Sequence, residues 1–228
     1  MNKAAQLLAL ARKRQAARWP GYNPLAEYHR GAYECDFVSP YTKSAGNVEA
    51  QVMILLQDWS SDAWLSGELD HAVVRLGLSP TLPTNINLAR LLETTFGLDL
   101  ADTYATNLFP FIKAGNLSTT ITVRDVEQAA REFGIPQIDI VAPRLVVCLG
   151  LSTFNGLRRA LGMKTVTTMS VALGSPFNYN GTRVWCQAHT GVMGQNTRNR
   201  GGIDRVSGDW RSMAESVFEV SELKKGIE

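Results

Sequence analysis

Four short apolar runs with β-strand character, separated by stretches of helical spacing, constrain the fold of this chain more than any other feature. The runs are residues 48–56, 103–108, 145–149 and 184–188. Between the first two, residues 62–78 carry Leu65, Leu69, Val73 and Leu76 at helical intervals. Residues 86–96 form a second helical stretch, with Thr84 or Asn85 as its cap and Gly97 closing it. Thr122, with Asp125 three residues on, starts a helix to Phe133 that Gly134-Ile135-Pro136 ends. Further helices are expected over 152–161 and 210–220, a short extra strand over 165–171, and a polar, glycine-containing loop over 190–208. Strand–helix alternation predicts an α/β chain: a three-layer α/β/α sandwich around a central, mainly parallel four-stranded sheet. One domain is expected over residues 1–228, with an N-terminal helix and an irregular Pro- and Gly-rich wrap over 1–47 and a core over 48–220. A length of 228 residues suffices for one full core.

Bulk properties exclude several classes. The chain is 45% apolar and 19% charged, and no apolar stretch is long enough to span a bilayer. The N-terminal stretch is basic and lacks the apolar core and cleavage site of a secretory signal. It reads as a surface helix that packs Leu7, Leu8 and Leu10 inward. Cys35, Cys148 and Cys186 show no CxxC spacing; Cys148 and Cys186 lie within apolar runs and read as buried thiols, which fits a cytoplasmic location. His29, His71 and His189 lack metal-ligand spacing, and neither GxGxxG nor GxxxxGK[ST] occurs. Net charge is +2, but Arg183, Arg198, Arg200 and Arg205 face a single acid, Asp204, within one stretch. Such a run is either a solvated loop or a phosphate-contacting surface.

Three polar residues follow the strand-like runs. Asp58 ends the first in Gln57-Asp58-Trp59, Asn107 ends the second in Thr106-Asn107-Leu108-Phe109, and His189 follows the last in His189-Thr190-Gly191. In a parallel sheet all three lie along the carboxyl edge, where open α/β folds bind ligands. Taken singly, Asp58 is equally well a helix cap, Asn107 a turn residue and His189 a surface residue.

Taken together, in this order, they resemble the uracil-DNA glycosylase superfamily over about residues 48–200. Gln57-Asp58 resembles the start of its Gly-Gln-Asp-Pro-Tyr-His motif and Asn107 its base-reading Asn. The run 145–150 resembles its third strand and turn, and His189-Thr190-Gly191-Val192-Met193 its His-Pro-Ser loop. The resemblance implies a monofunctional DNA glycosylase that flips a pyrimidine out of the stack and leaves an abasic site. Asp58 and His189 would be catalytic: Asp58 positions water and stabilises the cationic sugar, and His189 donates a hydrogen bond to the base O2. Gln57, Asn107, Phe109, Trp59 and Ser60 would surround the base, with Trp64 and Phe111 nearby. Met193 would wedge into the duplex, and Arg198 and Arg200 would hold phosphates. The implied partner is DNA, single- or double-stranded, and the protein a monomer with no membrane contact, no metal and no cofactor. With no imine-forming lysine identified, the strand would stay uncut.

Two departures bear on substrate. Trp59-Ser60-Ser61 replaces Pro-Tyr-His, and where Ser60 takes the place of the Tyr beside base C5, a C5 substituent has room. His-Thr-Gly replaces His-Pro-Ser. The base is therefore uracil or a C5-modified pyrimidine, and the role DNA repair or, where the modified base belongs to phage DNA, antiviral defence. A non-catalytic nucleic-acid-binding protein of the same fold and a small-molecule enzyme such as a nucleoside hydrolase are the competing readings.

Overall fold

A computed structural model describes residues 2–218. In chain order its elements are α1 (Lys3–Ala16), β1 (Tyr22–Asn23), β2 (Val52–Asp58), α2 (Asp62–Leu65), α3 (His71–Leu76), α4 (Pro83–Phe96), β3 (Tyr104–Phe109) and β4 (Ile112–Lys113). They continue as α5 (Val123–Ala129), α6 (Ile135–Val141), β5 (Leu145–Leu149), α7 (Leu151–Ala160), α8 (Met169–Leu173), β6 (Phe177–Tyr179), β7 (Thr182–Gln187), α9 (Val192–Arg198) and α10 (Arg205–Val217).

The central sheet has five strands in the order β3-β2-β5-β7-β6. The first four are parallel, and β6 pairs antiparallel with β7. Four of these strands are the apolar runs of the sequence; the fifth is a correction. Residues 165–171 form no strand; α8 occupies Met169–Leu173, with Thr168 capping it by accepting from the Val171 N–H. The added strand lies later, joined to β7 through Asn180-Gly181. Both turn residues have positive φ (47° and 84°), the left-handed pair that a two-residue hairpin requires.

The parallel strands are buried on both faces, which explains their unbroken apolar character. Side chains alternate: Val52, Ile54 and Leu56 pack with Leu88, Leu91, Trp210 and Met213 of α4 and α10. Met53 and Leu55 face the other way, toward Val126, Phe133, Ile138 and Phe154 of the α5–α7 layer. Close approach in that layer needs glycine: a Cβ at Gly134 would lie 2.4 Å from Leu108 Cδ1, and one at Gly156 2.7 Å from Val126 Cγ1.

Helix boundaries differ from expectation for local reasons. The stretch 62–78 breaks into α2 and α3, because Asp70 caps α3 by accepting from the Ala72 and Val73 N–H groups. Helix α4 starts at Pro83, a residue suited to a first helical position, so Thr84 and Asn85 lie inside its first turn and cap nothing. Thr122 does cap α5, accepting from the Asp125 N–H. That helix does not end at Gly134: it passes through a π-helical turn, Ala130–Gly134, into α6. Pro136, in the first turn of α6, follows that wide turn, where a missing N–H costs least. Residues 192–198, expected as loop, form α9. Helix α10 begins at Arg205 rather than Trp210, with Asp204 capping it, and Val220 lies outside the described residues. In α1, Leu7 and Leu10 are buried but Leu8 is exposed. Among the described residues no helix is long and apolar enough to cross a membrane.

The wrap before β2 bears on the site. Arg14 of α1, fully buried, donates to the Cys35 and Phe37 carbonyls and pairs with Glu34, pinning this segment down. Its next residues, through Ser39 and Tyr41, run along the carboxyl side of β3.

Candidate active site

Asp58, Asn107 and His189 line one cavity of about 300 Å³. Topology brings them there. Strand β2 lies between β3 and β5, so the chain moves to one side of it for β3 and to the other for β5 and β7. At such a reversal the connections leave a crevice over the carboxyl ends of the strands. Asp58 closes β2, Asn107 pairs in register with Leu56 on the neighbouring strand, and His189 lies two residues beyond the end of β7. Trp59, Ser60, Tyr41 and Trp64 complete much of the wall.

The Asp58 carboxylate is largely shielded, and its Oδ2 lies 2.8 Å from the ammonium of Lys113, itself buried. Burial pushes the Asp58 pKa above the usual carboxylate value, opposed by the Lys113 charge and hydrogen bond and by His189. Asp58 is no helix cap: the position before α2 is Ser61.

Asn107 is buried, with its carboxamide oxygen facing Ser39. Ser39 Oγ accepts from the Tyr41 N–H (3.2 Å), and its hydroxyl donates to Asn107 Oδ1 at 2.6 Å. That arrangement leaves Asn107 Nδ2 buried without a partner at the cavity wall. A buried N–H without an acceptor is costly, so such a group is a candidate for reading a ligand. Asn107 is not a turn residue either, since it lies within β3.

His189 sits at the rim, partly open. The Gly191 N–H donates to its Nδ1 at 3.0 Å, which places the proton of a neutral ring on Nε2. The protein packed about the ring lowers its pKa below the ordinary 6.5, against the opposing pull of Asp58. The following residue is tied to α4: Thr190 Oγ1 donates to the Thr84 carbonyl and Asn87 Nδ2 to the Thr190 carbonyl. Gly194 is required here, because a Cβ would lie 2.1 Å from the His189 carbonyl oxygen.

Other expected site residues divide. Trp59 lines the cavity with its indole N–H donating to the Gly77 carbonyl at 2.7 Å, and Ser60 is buried in the wall. Trp64 is exposed at the cavity. Gln57 is half-buried and outside the lining. Phe109 and Phe111 are corrections: both rings sit in the core against Trp19, and Phe109 also meets Tyr22. Met193 is 84% exposed, on α9 rather than on a loop. Arg198 is also a correction, because its guanidinium is engaged bidentately by Asp209 at 2.6 and 2.8 Å and is not free for phosphate. Arg205 donates to the Arg198 and Arg200 carbonyls and Arg183 to Asn178, while Arg200 is exposed.

Lys113, Ser39 and Tyr41 escaped sequence reading. Lys113 ends the apolar run Phe109-Pro110-Phe111-Ile112, a hint that its stem is buried; Ser39 and Tyr41 carry no local signal. A lysine thus does stand beside the acid, but as an ion-paired ammonium outside the cavity lining. Among the described residues no three His, Cys, Asp or Glu side chains cluster as metal ligands would. Neither the protein-family models nor the curated protein sequences contain a match to this chain.

Proposed function

We propose that this chain is a member of the uracil-DNA glycosylase superfamily, a monofunctional DNA glycosylase acting on a flipped-out pyrimidine. The observation that carries the reading is the convergence of Asp58, Asn107 and His189, from three separate strand ends, on one cavity. Water held by the Asp58 carboxylate attacks C1′ of the deoxyribose as the C1′–N1 bond breaks. The oxygen forms the new bond to carbon, and the bonding pair leaves with the base as an anion. Asp58 stabilises the positive charge on the sugar and receives the water proton. The neutral His189 ring donates its Nε2 proton in a hydrogen bond to the base O2 as negative charge grows there. Asn107 presents an N–H to an acceptor on the base edge, O4 or N3.

The reading extends to a C5-modified pyrimidine: Ser60 lines the cavity, and where it takes the place of the family's Tyr it supplies no bulk to reject a C5 group. Where that base belongs to phage DNA, the reaction serves antiviral defence; with uracil it serves repair. Lys113 Nζ is engaged by Asp58 and by the Leu117 carbonyl and lies outside the cavity lining, so it does not attack C1′ to form an imine and the strand stays intact. The alternative, a DNA-binding protein without the reaction, is favoured by the departures from the family motifs and by the exposed Met193.

The test is a panel of oligonucleotides carrying uracil, thymine, cytosine or C5-substituted pyrimidines, single- and double-stranded, scored for released base and alkali-labile sites. Release of at least one pyrimidine, with the strand uncut before alkali, is expected. Tight binding with no release from any substrate would contradict the enzyme and leave the binding protein.

A further inference from the structure

Lys113 is placed from two sides. Its backbone pairs with Tyr22 across the β1–β4 ribbon and bridges to Ser61, three residues beyond Asp58. Its side chain donates to the Leu117 carbonyl at 2.7 Å as well as meeting Asp58 Oδ2 at 2.8 Å. A buried ammonium costs more to desolvate than ordinary packing returns, unless a charge partner offsets it. Nothing in the β1–β4 ribbon requires a cation; a neutral residue would pair there equally well. The carboxylate has the converse problem: shielded as it is, an unpaired Asp58 would take up a proton. Among the described residues two charged or titratable groups face it, Lys113 from β4 and His189 from the segment after β7. Burial lowers the His189 pKa below its ordinary 6.5, which leaves Lys113 as the lasting positive charge against Asp58.

We infer that Lys113 is a positioning residue: it clamps Asp58 Oδ2, holds the carboxyl in its charged form, and leaves Oδ1 as the oxygen that meets water. Among the described residues Oδ1 has no hydrogen bond to protein, the ion pair being made by Oδ2. The catalytic meaning of this clamp rests on the glycosylase reading; the electrostatics do not. Lys113 contributes through Asp58 and does not touch the base or sugar.

The experiment is a carboxyl-carbon NMR titration of Asp58 in the full chain, in the wild type, Lys113→Gln and Lys113→Arg. In Lys113→Gln the Asp58 midpoint should rise by roughly one to three pH units, the usual effect of an adjacent opposite charge. Lys113→Arg should restore it toward the wild type. In parallel, the acid limb of the base-release profile should move to higher pH in Lys113→Gln and return in Lys113→Arg. An unchanged Asp58 midpoint in a folded Lys113→Gln protein overturns the inference. If that variant does not fold, the Lys113 Nζ resonance of the wild type decides: it should shift through the Asp58 titration, and indifference to it overturns the pairing. A shifted midpoint with no base release from any oligonucleotide supports the clamp and counts against the glycosylase alone.

Discussion

The cavity over the strand ends and the arginine-rich surface beside it use polar groups in opposite ways. On the surface, charge is largely spent on structure: Arg198 is held bidentately by Asp209, and Arg205 closes carbonyls at the end of α9. In the cavity, hydrogen-bonding capacity is held in reserve. Asn107 keeps an N–H without a partner, and the Gly191 contact leaves the Nε2 proton of His189 for something else. Buried donors are also left unpaired away from the cavity, at Trp210 Nε1 and Gln195 Nε2, so it is unspent capacity on a cavity wall that marks the site better than density of charge does. The number of arginines along 183–205 says less about function than one orphaned amide does.

The strongest way to break this contrast is to remove the cavity groups. Asp58→Asn should lower the rate of base release by about a hundred- to ten-thousand-fold, and His189→Ala by about a hundred- to a thousandfold, each with an unchanged circular dichroism spectrum. Single-turnover assays check both, and full activity in the two folded variants would sink the assignment. Next, Asn107→Ala should cost about ten- to a hundredfold in kcat/KM. Ser39→Ala should change preference more than rate, because it frees the carboxamide to turn. Its ratio of activity on bases with oxygen at position 4 to those with an amino group there should fall, measured by competition between two oligonucleotides.

A smaller effect sharpens the surface side of the contrast. Arg198→Ala should lower Tm by about 2–4 °C, the cost of about 1 kcal/mol in a chain of this size, and leave the salt dependence of DNA binding intact. Arg200→Ala should do the reverse, keeping Tm and reducing the salt slope by about one. Equal salt effects in the two variants would mean that Arg198 leaves Asp209 on binding DNA.

The smallest effect is on stability with pH. The His189 pKa is lowered on folding, so the stability it contributes is fully present above its ordinary 6.5 and is lost as pH falls through the lowered value. Asp58, with a raised pKa, runs the other way: its contribution is present below 3.8 and is lost as pH rises through the raised value. Denaturant midpoints from pH 7 downward should therefore fall less steeply in His189→Gln than in the wild type. Matching slopes would mean that the fold does not lower the His189 pKa.

The parallel strands and the three strand-end residues were legible because burial on both faces writes an unbroken apolar run, and topology then places whatever ends it. The antiparallel edge strand was missed although Asn180-Gly181 is a strong hairpin signal, because Phe177–Tyr179 is too short to show alternation. Pro136 reads as a stop because a π-helical turn, which rescues it, has no marker in the sequence. Phe109 was misplaced since periodicity cannot tell which wall a strand-end aromatic joins. Lys113 and Ser39 were invisible for a deeper reason: they act through contacts 55 and 68 residues away from them in the chain, from Lys113 to Asp58 and from Ser39 to Asn107.

The most direct measurement is a structure of the protein bound to an oligonucleotide carrying a C-linked, non-hydrolysable pyrimidine nucleoside. That base should lie unstacked in the cavity, with His189 Nε2 and Asn107 Nδ2 each at hydrogen-bond distance from it and C1′ facing Asp58. A base left in the stack, or DNA seated on a surface away from these three groups, would contradict the glycosylase reading.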